Sequence, residues 1–444
     1  MKVGLAVLLN VSLLVLLLPW LRRQWQGTWR GVFGLTLGLR VLVGMVRNWH
    51  PQVDAAFMSF VGRLVTDKIW QHPTQTWDIL TRAVTVFPKG HAPYDFVFRN
   101  TSNTWILIKV LAVLNLASLE TDWLNALYLS LFAFVGCWVL ARTLVNVFPD
   151  TPAGAGLVAF LFWPSVWFWA TGISKEAVLL GSGAWLTARV VNICFGPTRS
   201  GWAWAAWLPG TVVLVLVHFG MRYFFAVPLI GVLVGVAIVQ ALRRSGVVRQ
   251  HGVQALVLAT VLGSGVWLVP QLSTAFSLNK FTNQVIKVYS FDVAYSAGRP
   301  HFEYPNLRPT GTSIAAHAPL AAANVLTRPW LGESWQPLYV AAALENVALL
   351  VLLALAGWAV VRGRPGRLPF GLTLGLIIFC LVLAFLIGIT TPNLGSLNRY
   401  RSGLLPYLLL LLLQNDYAAA VFRRMGLGGE AGGSSGRAAR LFSK

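Results

Sequence analysis

Charge, and acidity above all, is what this sequence has least of. Only 11% of its 444 residues are charged, with 14 Asp and Glu against 35 Lys and Arg. That is about half the charged share of a soluble domain and excludes an ordinary globular surface. Cysteine is scarce too. Cys137, Cys194 and Cys380 each fall inside an apolar run, with no disulfide framework and no metal spacing. No Walker loop, GxSxG, HExxH or dinucleotide fingerprint is present, which argues against an ATP-driven pump and a cytosolic nucleotide-sugar enzyme. The net charge of +21 invites a nucleic-acid partner, but no basic helix with interleaved aromatics and no recognised nucleic-acid module accompanies it.

What is abundant is apolar sequence: 56% of residues are hydrophobic and the mean hydropathy is +0.66. Runs such as 3–20, 371–389 and 404–413 with its flanks approach the ~20 residues that cross a ~30 Å hydrocarbon core. Continuous runs, not ten-residue alternation, exclude a β-barrel. The pattern predicts an all-α, polytopic transmembrane helical bundle.

Short Arg-rich connectors mark the cytoplasmic side: Arg22, Arg23 and Arg30; Arg142; Arg189 and Arg199; Arg243, Arg244 and Arg249; Arg362, Arg364 and Arg367; Arg423 and Arg424. They imply about 11 spans, near 3–20, 31–47, 122–147, 155–173, 177–195, 202–217, 223–242, 253–270, 337–361, 368–389 and 402–420, with the N-terminus outside. The first run lacks a small-residue cleavage site and is read as a retained anchor. Segment 105–119 is apolar but short and carries Lys109. If it crossed, the connectors from Arg142 to Arg249 would all move outside, so it is read as an interfacial or re-entrant helix. The expected organisation is a transmembrane domain over 1–420 and a flexible, Gly/Ser-rich cytoplasmic tail over 421–444. Within the domain are an extra N-terminal span (1–29), a first outer loop (48–121) and a second large outer loop (271–336).

On this topology eleven of the 14 acids lie on the outer side, and five stretches bring chemistry there. Asp54 follows a span and opens an amphipathic stretch. It acts as a helix cap, as a base towards an acceptor hydroxyl, or as both. In 163–176 a helix breaks at Pro164, turns at Gly172 and restarts with Ser174, Lys175 and Glu176. Ser174 suits a cap, and Glu176 a first-turn acid. The functional alternative has Lys175 bind phosphate and Glu176 orient a hydroxyl, a metal or a base. Arg222, in His218-Phe219-Gly220-Met221-Arg222-Tyr223, needs a partner so near hydrocarbon. A lipid phosphate suits its planar fork, and ordinary headgroups suit a snorkelling side chain. Lone His218 is read as structural.

Arg328 and Glu333, with Trp330 and Trp335, form either an interfacial anchor or a sugar-phosphate rim. Glu345 and Asn346 lie further into the same span, as candidate buried polar partners. Arg399, Tyr400 and Arg401 stand at the start of the last span. Two arginines at i and i+2 do not share a helix face, so one is expected to turn inward. They make a basic mouth for a diphosphate or anchor to headgroups. The outer carboxylates have no metal-ligand spacing, so no metal site is assigned, although a divalent metal is compatible with Glu176.

These residues resemble the GT-C glycosyltransferase superfamily, near the bacterial membrane proteins related to dolichyl-phosphate-mannose-protein mannosyltransferases and lipid A sugar transferases. The resemblance spans roughly 30–415. It rests on an Asp soon after a span with an interfacial helix behind it (Asp54 and 105–119), a Pro-broken helix with an acid in a second outer connector (Pro164, Glu176), and a late Arg-Tyr…Pro (Arg399, Tyr400, Pro406). Asp54 is followed by Ala55 and Ala56 where the family has a second acid, and the span at 3–20 is extra. The resemblance implies a GT-C-like bundle with interfacial helices in the outer loops. It also implies an inverting hexosyl or pentosyl transfer from a polyprenyl-phosphate sugar to a glycan, lipid or protein acceptor at the outer face of the plasma (inner) membrane. Asp54 would take the acceptor's proton, and Arg222, Arg399 and Arg401, with Lys175 and Arg328, would neutralise the leaving phosphate. Two rivals share the basic outer face or the membrane setting: a surface-polysaccharide polymerase or ligase, and a lipid-linked glycan transporter or flippase.

Overall fold

The computed structural model describes residues 1–49, 52–82, 84–87, 96–99, 102–197, 201–272 and 277–427. The described residues are almost wholly helical, with a small antiparallel pairing of Val84–Phe87 with Phe96–Arg99 among them. Among the described residues eight helices are long and apolar enough to cross a membrane. They are Lys2–Trp25, Arg30–Trp49, Asp122–Val147, Lys175–Phe195, Tyr223–Arg244, His251–Leu272, Pro337–Val361 and Phe370–Thr390. This is the architecture of a polytopic α-helical membrane protein.

Two of the remaining expected spans, 155–173 and 402–420, are broken or bent. Segment 155–173 divides into Ala153–Leu157, a π-helical stretch Val158–Phe162 and Pro164–Trp169. Pro164 lacks the N–H that a continuous helix needs, and Trp163 before it is extended. Segment 402–420 forms Leu405–Leu412 and Asp416–Arg424, bent by 94°, which makes a ninth candidate if the pair is one span. The third, 202–217, lies within the single 21-residue helix Gly201–Met221. Asn103–Ser118 has 16 residues, about 24 Å of helix, so it falls short of a ~30 Å core. It turns into Asp122–Val147 through Leu119 and Glu120, both left-handed. Helix continues to Arg424, inside the expected tail, while 428–444 lie outside the described residues.

The chain divides into two compact units. The first comprises Met1–Cys137, Val166–Leu186 and Ser200–Val227. Here Val53–Gln71 packs on Asn103–Ser118 where Gly62 meets Leu111. Polar side chains buried at that seam bond one another. Thr66 donates to the Ala112 carbonyl (3.1 Å), Asn115 to Thr66 (3.0 Å) and Asn125 to Asn115 (2.6 Å). Helix association in lipid relies on such bonds and on small residues at close crossings. Asp122–Val147 and Lys175–Phe195 meet at Gly136 and Gly181, where a Cβ on Gly136 would stand 2.1 Å from the Gly181 carbonyl oxygen.

The second unit comprises Trp138–Ser165, Thr187–Arg199 and Pro228–Lys444. Its centre is Phe370–Thr390, packed against Gly311–Thr327 so closely that a Cβ on Gly388 would lie 2.1 Å from the Ala321 carbonyl oxygen. Tyr407 stacks edge-on with Phe160 and Phe379, at 5.3 and 5.0 Å between ring centroids. Tyr304 donates its hydroxyl to the Gly388 carbonyl (3.0 Å), which fastens the segment before Gly311–Thr327 to the central helix. Burial pushes that phenol up to about 12, so it keeps the proton it donates.

Candidate functional site

The residues nominated by the sequence fall into both units, and each unit is described by itself. In the first, Ser174 caps Lys175–Phe195 by accepting from the Ala177 N–H (3.1 Å), as expected. Glu176, in the first turn, is 3% exposed and accepts from Arg222 at 2.6 Å; the guanidinium is as buried as the carboxylate. Arg222 follows Gly201–Met221 and precedes Tyr223–Arg244, so two helix ends hold it in place. The partner that Arg222 needs is thus a protein carboxylate. One turn earlier His218 is 3% exposed, with Nδ1 2.9 Å from the Ser182 hydroxyl. Lys175 donates to Asn103 (3.1 Å) and Thr104 (2.7 Å) at the start of Asn103–Ser118. Asp54 lies exposed in the first turn of Val53–Gln71, where it meets the positive end of the helix dipole.

Two further arginines of this unit were not nominated. Arg40, 1% exposed within Arg30–Trp49, donates to the Ala170 carbonyl (2.8 Å) and the Thr171 hydroxyl (3.1 Å). Arg47, two turns further along the same face, donates to the carbonyls of Phe168 and Thr171. Both guanidiniums satisfy carbonyls at the end of Pro164–Trp169 and in the chain just after it, groups that would otherwise be orphaned in an apolar setting.

The second unit gathers Arg328, Glu333 and Arg401. Arg328 and Glu333 form an ion pair at 3.1 Å, 29% and 20% exposed, with the guanidinium over the Phe302 ring at 5.5 Å. Glu333 also accepts from the Trp330 N–H (2.9 Å). Arg401 is 2% exposed and donates to the Arg328 carbonyl and to the Asn346 side chain (2.8 Å). Asn346 donates in turn to the Thr327 carbonyl. Burial pulls the Arg401 guanidinium down to about 10, still charged at neutral pH. As expected for i and i+2, Arg401 turns inward while Arg399 stays half-exposed; Tyr400 is half-exposed too.

The short helix Leu394–Arg401 is the hub of this site. Its cap Asn393 accepts from the N–H groups of Gly395 and Ser396. The Asn393 N–H donates to Asp292 (3.2 Å) and its amide to Ser296 (2.9 Å). Burial raises the Asp292 carboxyl above its ordinary value. Nearby, Arg299 lies over Tyr295 at 5.0 Å. Asn393 and Asp292 escaped the sequence reading, although an Asn after Pro392 at a helix start was a legible cap signal.

Glu345, within Pro337–Val361, accepts from the Ser165 hydroxyl (2.6 Å) and the Ser165 N–H (3.1 Å), just past the helix break. Among the described residues no cluster of three His, Cys, Asp or Glu could hold a metal ion. Comparison with known proteins finds no matching family model, no matching curated protein and no matching solved structure, so the site's own chemistry carries the functional reading.

Proposed function

We propose that this protein is an integral membrane transferase that moves a sugar from a polyprenyl-phosphate donor to a cell-envelope acceptor hydroxyl. The observation that carries the reading is the Arg401 clasp. It joins the segment before Pro337–Val361 to the helix after Phe370–Thr390. Arginines and exposed aromatics thereby collect at one end of apolar, membrane-length helices. Arg299, Arg328 and Arg399 keep some exposure there, alongside Tyr295, Trp330 and Trp335, which are 62%, 46% and 84% exposed. Guanidinium forks suit phosphate oxygens, and aromatic faces suit a sugar ring or the bilayer interface. Stabilising charge on a leaving phosphate is typically the largest catalytic contribution. The positive-inside rule supports an outer-leaflet location for this rim.

Purified protein in liposomes, given radiolabelled polyprenyl-phosphate sugars, tests the reading. Transfer by the wild type and at least a tenfold loss in Arg399→Ala are expected. Absence of turnover with every monosaccharide donor would sink it. Turnover of diphosphate-linked oligosaccharides alone would move the protein to the polymerases.

A further inference from the structure

The geometry points to Glu345 as the proton acceptor of the transfer, an assignment that rests on the transferase reading above. Glu345 lies about two turns into Pro337–Val361, among apolar residues of a membrane-length helix. A carboxylate there is costly, and such residues mark sites of function. Its two oxygens are held by neutral donors, the hydroxyl and N–H of Ser165. No described Lys or Arg makes a contact ion pair with it, in contrast to Glu176 and Glu333. The charged group that acts on it is Arg401, which is engaged by Asn346 and the Arg328 carbonyl. Arg401 Nε is buried without a partner. The guanidinium therefore supports the carboxylate through space without sealing it.

The break beside Glu345 is a second, independent observation. The chain passes from a π-helical stretch through extended Trp163 to Pro164 and Ser165. π-Helical turns are frequent at functional sites, and non-helical backbone at membrane depth is tolerated where it lines a cavity or is buried in protein. Glu345 itself stays partly exposed.

In the transfer, the acceptor oxygen bonds to the anomeric carbon. The bond from that carbon to the lipid-phosphate oxygen breaks, and its electron pair leaves with the phosphate. The acceptor's hydroxyl proton passes to a Glu345 oxygen and from there to water. Ser165 and Arg401 are positioning residues for that carboxylate.

The test compares wild type, Glu345→Gln, Glu345→Asp, Ser165→Ala and Asp54→Asn in the same liposome assay across pH. Glu345→Gln is expected to lower kcat by about 100-fold or more, with the donor KM within a few-fold and the acidic limb of the wild-type pH profile gone. Glu345→Asp and Ser165→Ala are expected to lower kcat less and to move that limb. Should Glu345→Gln not fold, an unmoved limb in both milder variants overturns the assignment. Glu345→Gln turning over within about threefold of wild type overturns it too, as does loss confined to Asp54→Asn. In those cases wild-type turnover leaves the transferase reading standing; a wild type without turnover removes that reading itself.

Discussion

Glu176 and Glu345 both sit in helices long and apolar enough to cross a membrane, and their surroundings differ in kind. Glu176 is 3% exposed and locked to Arg222 at 2.6 Å. Glu345 is partly exposed and held by neutral donors, the Ser165 hydroxyl and N–H with the Trp163 indole beside them, and Arg401 acts on it without a contact ion pair. In the first unit opposite charges neutralise each other, and what remains is a clamp between helix ends. In the second the guanidinium is engaged by a carbonyl and an amide, and the carboxyl makes no contact ion pair among the described residues. A contact pair is a joint, whereas a carboxylate on neutral donors is free to exchange a proton. Position beside an apolar run, which drew attention to both acids in the sequence, does not separate these cases. The identity of the donor does.

The largest expected effect comes from opening the joint. Arg222→Leu strands a buried carboxylate, and removing one partner of such a pair costs about 3–5 kcal/mol. Replacing both, Glu176→Gln with Arg222→Met, should recover much of the loss, since a buried pair is itself weakly stabilising. Glu345→Gln keeps an acceptor for Ser165 and should cost less than about 1.5 kcal/mol. Unfolding in detergent micelles measures all three. If Arg222→Leu were no more destabilising than Glu345→Gln, the two carboxylates would not differ as described.

An intermediate effect tests whether both units depend on one close helix crossing. A Cβ added at Gly136 or at Gly388 would each come within 2.1 Å of a backbone oxygen, that of Gly181 and that of Ala321. Backbone cannot swing aside as a side chain can, so Gly136→Ala and Gly388→Ala must part their helices. Overpacking of that kind typically costs about 1–3 kcal/mol. Gly357, in Pro337–Val361, has nothing within 4 Å of the same atom. Gly357→Ala should therefore raise stability, by up to about 1 kcal/mol of helix propensity. Equal behaviour of all three in melting experiments would remove the close crossings as an organising feature.

Hydropathy and Arg placement made the straight helices legible. Asp122–Val147 and Pro337–Val361 have the expected ends, and Lys175–Phe195 begins at its Ser174 cap. The breaks were less legible. Pro164 was visible as a breaker, but its combination with a π-helical stretch depends on packing, as does the 94° bend after Leu412. The inward turn of Arg401 followed from helical geometry. Its partners did not, because Arg328 and Asn346 are distant in sequence and met through the hub Leu394–Arg401. Glu176 and Arg222 were each seen as charges that need a partner, yet nothing in their local sequence says they choose each other.

The smallest effect concerns the histidines, which differ between the units in the same sense as the carboxylates. His218 is 3% exposed and bonds a serine. His301 lies at the rim, with Nδ1 2.8 Å from the Arg299 carbonyl and Nε2 3.2 Å from Glu303. Both of its ring nitrogens face acceptors, which only the doubly protonated ring can satisfy. The Arg299 carbonyl first, and then Glu303, raise its pKa above the ordinary value. A folded value above the unfolded one makes the contribution complete below about pH 6.5. It is lost as pH rises through the folded value. Glu303 is 65% exposed, so solvent limits the contribution to about 1 kcal/mol or less. Melting in micelles should therefore show that His301→Gln loses slightly more stability, relative to wild type, at pH 6 than at pH 8. An equal loss at both pH values would remove His301 as a titrating partner of Glu303 and leave the rim without a pH-dependent histidine.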